Sequence, residues 1–458
     1  MKKTVNHILA AGLLALLSLA SCTDEFIEGN DLQGVDRDKR VEVRLPFGVG
    51  RGITTTITTR AAGGEIDYDS QLSGVMAFVY EAKSDNPEEN ELLAYHLFSN
   101  PSNKPLEGAT GGWIADNDDP TCGEIKFYVP VGDVYIYLLG NAQSSFLNFF
   151  PGVSGGDALG TQAEFFEKAT PKWNGNIHSV DGYLPLTGMV NNNTGLCHVN
   201  EQGQISYTDE EGKTHTLLPD GKHDEDNSFV LKRLMSKITM NIREGKGVKF
   251  TPRDYTVRHI PHYVSPTAQA WTEEERDRIL VEDAKPVNFG VLDPLTFTIY
   301  LPENIRKVRP GVEITEYRQR DKVVKTADNK NTEETAPDDF HADNADNHKG
   351  HYKFEFAPKA STYIELTGWF ENADKTVAAD VRYYIHLGNF GKDLNHFSVE
   401  RDHHYTYNVT INGVDDIVVE VEDENEKTPG AEGVVFKHEA FAHIDAHFDQ
   451  VEMKFMRK

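Results

Sequence analysis

Apolar residues recur at every second position along much of this chain, which is the spacing of strands with one face on a core. The clearest case comes early. Val41, Val43, Leu45 and Phe47 alternate with Glu42, Arg44 and Pro46, predicting a strand over Val41–Val49. Pro46 has no N–H to donate, so the strand is expected at an edge, or bonded on one side only at that point. Val75–Tyr80 is apolar on both faces and reads as a central strand. Further strands are expected at Ile125–Val129, Val134–Leu139, Phe229–Leu231, Lys237–Ile242 and Thr296–Tyr300. The same spacing predicts strands at Tyr352–Phe356, Tyr363–Phe370, Asp380–Leu387 and Tyr405–Ile411, with Asn412-Gly413 as a hairpin-type turn. Helical signals are scarce: Thr161 with Glu164 forms a capping box, and Thr272 with Glu275 caps a short helix through Ile279. Many short strands with few helices predict an all-β chain built of β-sandwiches.

The flanks break this pattern. Residues 1–21 carry Lys2 and Lys3 before an apolar run from Ile8 to Ala20, a targeting segment too short to span a bilayer. It ends in Leu19-Ala20-Ser21-Cys22, small residues before a cysteine, so a bacterial lipoprotein signal is expected with Cys22 as the lipidated N-terminus. Two or three acyl chains there would give stable anchoring. Residues 23–40 are polar and aperiodic, a tether. After the strand at Val41–Val49 comes a Thr-rich run, then Arg60 and Ala61-Ala62-Gly63-Gly64, a loose stretch of the kind proteases enter. Residues 323–350 read as a long polar, disordered insertion. Past Gly413, Ile417, Val419 and Val421 alternate, residues 422–433 are an acidic break, and Val451, Met453 and Phe455 form a last strand pattern in search of a partner. The divisions expected are 1–21 (signal), 22–60 (propeptide with a removable strand), 61–227 and 228–413 (two β-sandwiches in tandem), and 414–458 (a strand-donating appendage).

Composition narrows the partners. With 46 Lys plus Arg against 73 Asp plus Glu the net charge is −27, which repels nucleic acid and anionic lipid surfaces. Cys122 and Cys197 could pair as a disulfide outside the cytoplasm or stay as two buried thiols. No cofactor, metal or catalytic residue is expected: there is no GxSxG, no P-loop, and no GxGxxG opening a helix. His341, His348 and His351 lie among aspartates without fixed ligand spacing, and His443 and His447 lack the Glu of a HExxH motif. His403 and His404 read as surface residues, and Trp113, Trp173, Trp271 and Trp369 as core or interface residues rather than sugar platforms.

Several segments together carry a resemblance. VPVGDVYIYLLGNA (129–142), YLPLTGMV (183–190), FVLKRLMSKITMNI (229–242), RYYIHLGNF with VERDHHYTYNVTING (382–413) and the tail IDAHFDQ (444–450) resemble, in order and spacing, the fimbrillin family of Bacteroidales. The resemblance implies two transthyretin-like Greek-key β-sandwiches and export to the outer membrane as a lipoprotein through Cys22. Asp24 and Glu25 resemble a surface-export signal. It further implies that an Arg-specific surface protease removes the N-terminal segment. Arg60 matches the cut position, with Arg51 and then Arg44 as further candidates. Loss of the first strand would open a groove for a strand from another copy or a related pilin subunit, building a fimbria that could serve adhesion. The donated strand is expected to be Val451–Met456, with Ile417–Val421 as the other candidate. A surface lipoprotein that stays anchored, as a pilus anchor or an adhesin for glycan or host protein, is the alternative.

Overall fold

The structure is a computed structural model, which describes residues 36–50, 72–101, 109, 111–115, 121–142, 147–149, 159–168, 171–178, 183–190, 194–219, 228–266, 281–289, 295–308, 311–326, 339–340, 351–391, 393–423 and 436–440. The first part of the chain forms β1 (Asp36–Val49), β2 (Gly74–Glu81), β3 (Leu92–Ser99), β4 (Trp113–Ala115) and β5 (Cys122–Gly140). There follow β6 (Leu147–Asn148), helix α1 (Gln162–Lys168), β7 (Lys172–Trp173), β8 (Leu186–Gly188), β9 (Leu196–Val199), β10 (Ile205–Thr208), β11 (Thr214–Thr216) and β12 (Phe229–Arg233). The second part opens with β13 (Met235–Glu244), β14 (Val248–Arg258), β15 (Ile260–Pro261), β16 (Val281–Glu282), β17 (Val287–Asn288) and β18 (Thr296–Pro302). Helix α2 (Tyr317–Arg320) precedes β19 (Val323–Thr326), β20 (Asp339–Phe340) and β21 (His351–Phe354). The last strands are β22 (Tyr363–Asn372), β23 (Ala378–His386), β24 (His404–Ile411), β25 (Ile417–Asp423) and β26 (Phe436–Ala440). The chain is all-β, as its alternation predicts.

The first sheet has ten strands and contains a ring. β1 pairs β12, β12 pairs β8, β8 pairs the far end of β5, and the near end of β5 returns to β1. The two strands expected at Ile125–Val129 and Val134–Leu139 are one strand of 19 residues. The Pro-Val-Gly-Asp stretch between them does not turn back; Gly132, at φ 132°, lets the strand bend and continue. Cys122–Val131 faces β1, while Gly132–Gly140 pairs β2, β8 and β9. β2 is buried along its whole length, as its two apolar faces predict. Val75, Ala77 and Val79 join the core under β1, and Met76, Phe78 and Tyr80 join a larger core that runs into the second part.

That larger core lies between a five-stranded sheet, β18-β13-β24-β25-β26, and a four-stranded sheet, β17-β14-β22-β23. The change of sheet falls between Arg233 and Met235, so Phe229–Arg233, placed in the second unit by the 227/228 boundary, belongs to the first sheet. β25 removes the second candidate for the donated strand. Ile417, Val419 and Val421 are 1% exposed or less, and the strand is paired on both sides, by β24 and β26. A strand so placed cannot be the donated one without dismantling its own sandwich. The insertion at 323–350 is not wholly irregular, since β19 and β20 both pair β21 at its ends. The Thr161–Glu164 capping box forms as expected: the Glu164 N–H donates to Thr161 Oγ1 and the Thr161 N–H to Glu164 Oε2. The helix expected at Thr272–Ile279 lies outside the described residues.

Candidate functional site

β1 lies in a slot between two strands of its own chain. It runs antiparallel to β5 from Arg40 to Gly48 and parallel to β12 from Phe47 to Val49. Pro46 sits opposite Glu124 of β5, and pairing to β12 begins one residue later, which meets the one-sided bonding that proline requires. Val43, Leu45 and Phe47 are fully buried against residues that include Ile125, Phe127, Val129, Phe229 and Leu231. At about 1.5–3 kcal/mol for each buried side chain, these three hold the strand with roughly 5–9 kcal/mol of apolar contact.

The slot is shaped by two glycines. Gly123 lies opposite Phe47, and a Cβ there would come 3.0 Å from Phe47 Cζ and 2.9 Å from the Ile114 carbonyl oxygen. The missing side chain leaves room for the Phe47 ring, which meets Trp113 edge-on with centroids 5.0 Å apart. Gly203, at φ 75°, ends a turn whose backbone lies on β1; a Cβ there would sit 2.2 Å from the Glu42 carbonyl oxygen.

Charges fix the strand's outer face and its exit. Arg44 reaches along the ladder to Glu124, its Nε and Nη2 at 2.8 and 2.5 Å from Oε2. Arg44 stands directly opposite Lys126, so the contact to Glu124 is diagonal. At the exit the Gly50 N–H donates to the Leu231 carbonyl (2.8 Å), and the Gly50 carbonyl accepts from Arg233 Nη1 (2.8 Å). Arg233 is buried and ion-paired with Asp402 (2.7 Å), which comes from the second part of the chain. The end of β1 is therefore tied to both halves of the molecule.

The residues singled out from sequence fall in several places. Cys22, Arg51, Arg60, Trp271, His341, His348, His443, His447 and the strand pattern at Val451–Met456 lie outside the described residues. Arg44 lies inside the β1 ladder, so a protease reaches it only by first unpairing the strand. Cys122 and Cys197 are both free and buried. Cys122 begins β5, and Cys197 stands opposite Val134, twelve residues further along that strand, well beyond the roughly 7 Å Cα separation a disulfide allows. Burial pushes the Cys197 thiol up, so it stays protonated. His403 is not a bystander on the surface: it stacks on Tyr405 and bonds Asp423 Oδ2 at 2.9 Å. His404 Nε2 lies 3.0 Å from Thr239 Oγ1. Trp173 is buried, whereas Trp369 is 42% exposed. Among the described residues no cluster of three or more His, Cys, Asp or Glu is placed to hold a metal ion. The alternation of β1 made the strand legible; the two glycines and the Arg233–Asp402 pair that shape its slot carried no local signal.

A family model described as a domain of unknown function, DUF4906, matches residues 299–409. No curated protein matches. Among solved structures, the tip fimbrial protein Mfa3 from Porphyromonas gingivalis, with a C-terminal truncation, is similar at 13% identity and a TM-score of 0.40, covering 84% of this chain and 99% of that one. The fimbrial anchor protein Mfa2 from Porphyromonas gingivalis is similar at 9% identity and a TM-score of 0.30, covering 87% of this chain and 99% of that one. These two neighbours are fimbrial proteins, at a distance in sequence and in superposition that carries no function across.

Proposed function

We propose that this chain is a structural pilin subunit of a surface fimbria, made as a lipoprotein anchored in the outer membrane through Cys22. An Arg-specific surface protease cuts after Arg60, β1 leaves with the lipidated segment, and a strand from another subunit fills the slot. The observation that supports this reading is the seating of β1: it completes the interior of a sheet yet is joined to the rest of the described chain only through the segment between Gly50 and Leu72. One cut in that segment leaves the strand held by noncovalent contacts alone. Its departure would expose the apolar trough and unpair the facing edges of β5 and β12, both costly in water. An incoming strand restores backbone bonds and fills the trough. The contact joins different surfaces of two subunits, head to tail, so repetition yields an open filament.

Incubation of the full-length protein with an Arg-specific protease is expected to give one product beginning at Ala61, together with SDS-resistant ladders. Normal trimming and ladder formation by an Arg60→Ala variant would remove Arg60 from the scheme. N-terminal analysis of the mature surface protein decides the larger question. A blocked, lipidated Cys22 on protein that never enters a filament would establish the permanently anchored lipoprotein instead.

A further inference from the structure

We propose that Lys126 and Glu124 of β5 select the strand that takes the place of β1, and that Val451–Phe455 of a second copy is the sequence they select. This inference rests on the strand-replacement reading above. The starting point is a mismatch in the present occupant. In the β1–β5 register Arg44 stands opposite Lys126, a pair of like charges, and Pro46 stands opposite Glu124 without an N–H or a charge to offer. Arg44 reaches diagonally to Glu124, whose side chain is 7% exposed. The slot therefore presents base then acid on its outer face, and it asks for acid then base in an antiparallel partner.

The tail supplies that order. Val451-Glu452-Met453-Lys454-Phe455 laid on Val43–Phe47 puts Glu452 opposite Lys126 and Lys454 opposite Glu124. The same alignment places Val451, Met453 and Phe455 at the three fully buried positions of Val43, Leu45 and Phe47. Phe455 then takes the place over Gly123 and beside Trp113 that suits an aromatic ring. Met for Leu conserves volume in a core. No proline interrupts the segment, so a backbone N–H missing from β1 is available to the ladder.

A second version of the pattern stands seven residues earlier, Ile444-Asp445-Ala446-His447-Phe448. Ala446 would leave the Leu45 position underfilled, and His447 does not bring the fixed positive charge of a lysine. Val451–Phe455 is the better match in both charge and volume. By this logic β1 is a deliberately poorer occupant than its replacement, which gives the exchange its direction.

The test is a charge swap in the full-length protein, trimmed with an Arg-specific protease and followed by the rate of SDS-resistant ladder formation. Glu452→Lys with Lys454→Glu changes only the tail and leaves the described fold untouched. It is expected to slow laddering roughly tenfold. Adding Lys126→Glu and Glu124→Lys in the same chain is expected to restore the rate. Should that groove variant fail to fold, Lys126→Gln with Glu124→Gln serves in its place and is expected to make laddering insensitive to the tail swap. Unchanged laddering by the tail-swapped protein would overturn the inference while leaving strand replacement intact. Slowing by Asp445→Lys with His447→Glu, but not by the Glu452/Lys454 swap, would overturn the choice of occupant. Absence of ladders from trimmed wild-type protein would instead sink the proposed function itself.

Discussion

Phe47 is the side chain on which the seating of β1 most depends, because its ring fills the space that Gly123 leaves open. Phe47→Ala is expected to destabilise the uncut protein by about 3–5 kcal/mol, read as a lowered urea midpoint. After trimming the same variant should match the wild type, since the residue is gone. The buried Arg233–Asp402 pair behaves differently. Asp402→Ala leaves a guanidinium buried and is expected to cost about 3–5 kcal/mol before and after trimming, as measured by thermal unfolding. Histidines set the response to acid. His386 is wholly buried, and burial pulls its pKa below the ordinary value despite the hydrogen bond and charge of Asp321. Burial pulls His259 down to about 4, with Asp283 opposing. Both are held neutral by folding, whereas the unfolded chain takes up their protons below about pH 6.5, so stability falls as pH drops below that value at up to about 1.4 kcal/mol per unit for each group, until, for His259, about pH 4 is reached. His403 has the opposite sign: burial opposes its charge, but Asp423 and Glu400 outweigh that and raise its pKa. Its contribution is full below about pH 6.5 and is lost as pH rises through the raised value. Urea midpoints between pH 7 and 4.5 should fall with acid. His259→Asn, a residue that tolerates the left-handed φ of 58° there, should flatten the slope.

At the scale of elements, the slot predicts a trap. Glu42 and Tyr128 are directly opposite and both are exposed, within the spacing a disulfide bridges. In a Glu42→Cys, Tyr128→Cys double variant, oxidised protein should be cut by an Arg-specific protease yet retain the N-terminal fragment and form no ladders, and reduction should release both blocks. Ladders from the oxidised protein would show that β1 need not leave. How far the sequence revealed these elements depended on alternation. β1 and β2 were legible because every second residue, or every residue, is apolar. β14 was not, since Pro252, Arg253 and Asp254 interrupt its pattern, at the place where the ladder to β22 shifts register. β5 reads as two strands because Pro130 and Gly132 mimic a turn, although tertiary pairing carries the chain on as one strand. β25 stands as a second donor candidate in the sequence because alternation reports one buried face and is silent about which neighbours flank the backbone.

For the whole molecule, the ring of β1, β12, β8 and β5 means that the uncut chain closes a sheet which the trimmed chain leaves open. A trimmed protein shortened to end at Ala440, which keeps β26 but has no tail to donate, should remain monomeric, bind an apolar dye and unfold at lower urea than the uncut protein, by roughly the 5–9 kcal/mol that β1 supplied. Equal stability before and after trimming would mean that the slot closes on itself. The second sandwich should be spared, because its core is made by its own two sheets together with β2 rather than by β1.

β5 gives this arrangement a mechanical side. The backbone that flanks the slot at Cys122–Val131 continues unbroken into Gly132–Gly140, which is pinned by β2, β8 and β9. A pull along the axis of whatever strand lies in the slot would load its rungs together, in shear, and hand the force to the body of the subunit through a covalent chain. A sideways pull would part the same rungs one after another. A strand fitted this way holds against tension and yields to peeling, so a fibre built on it would be strong lengthwise and open to dismantling from its end.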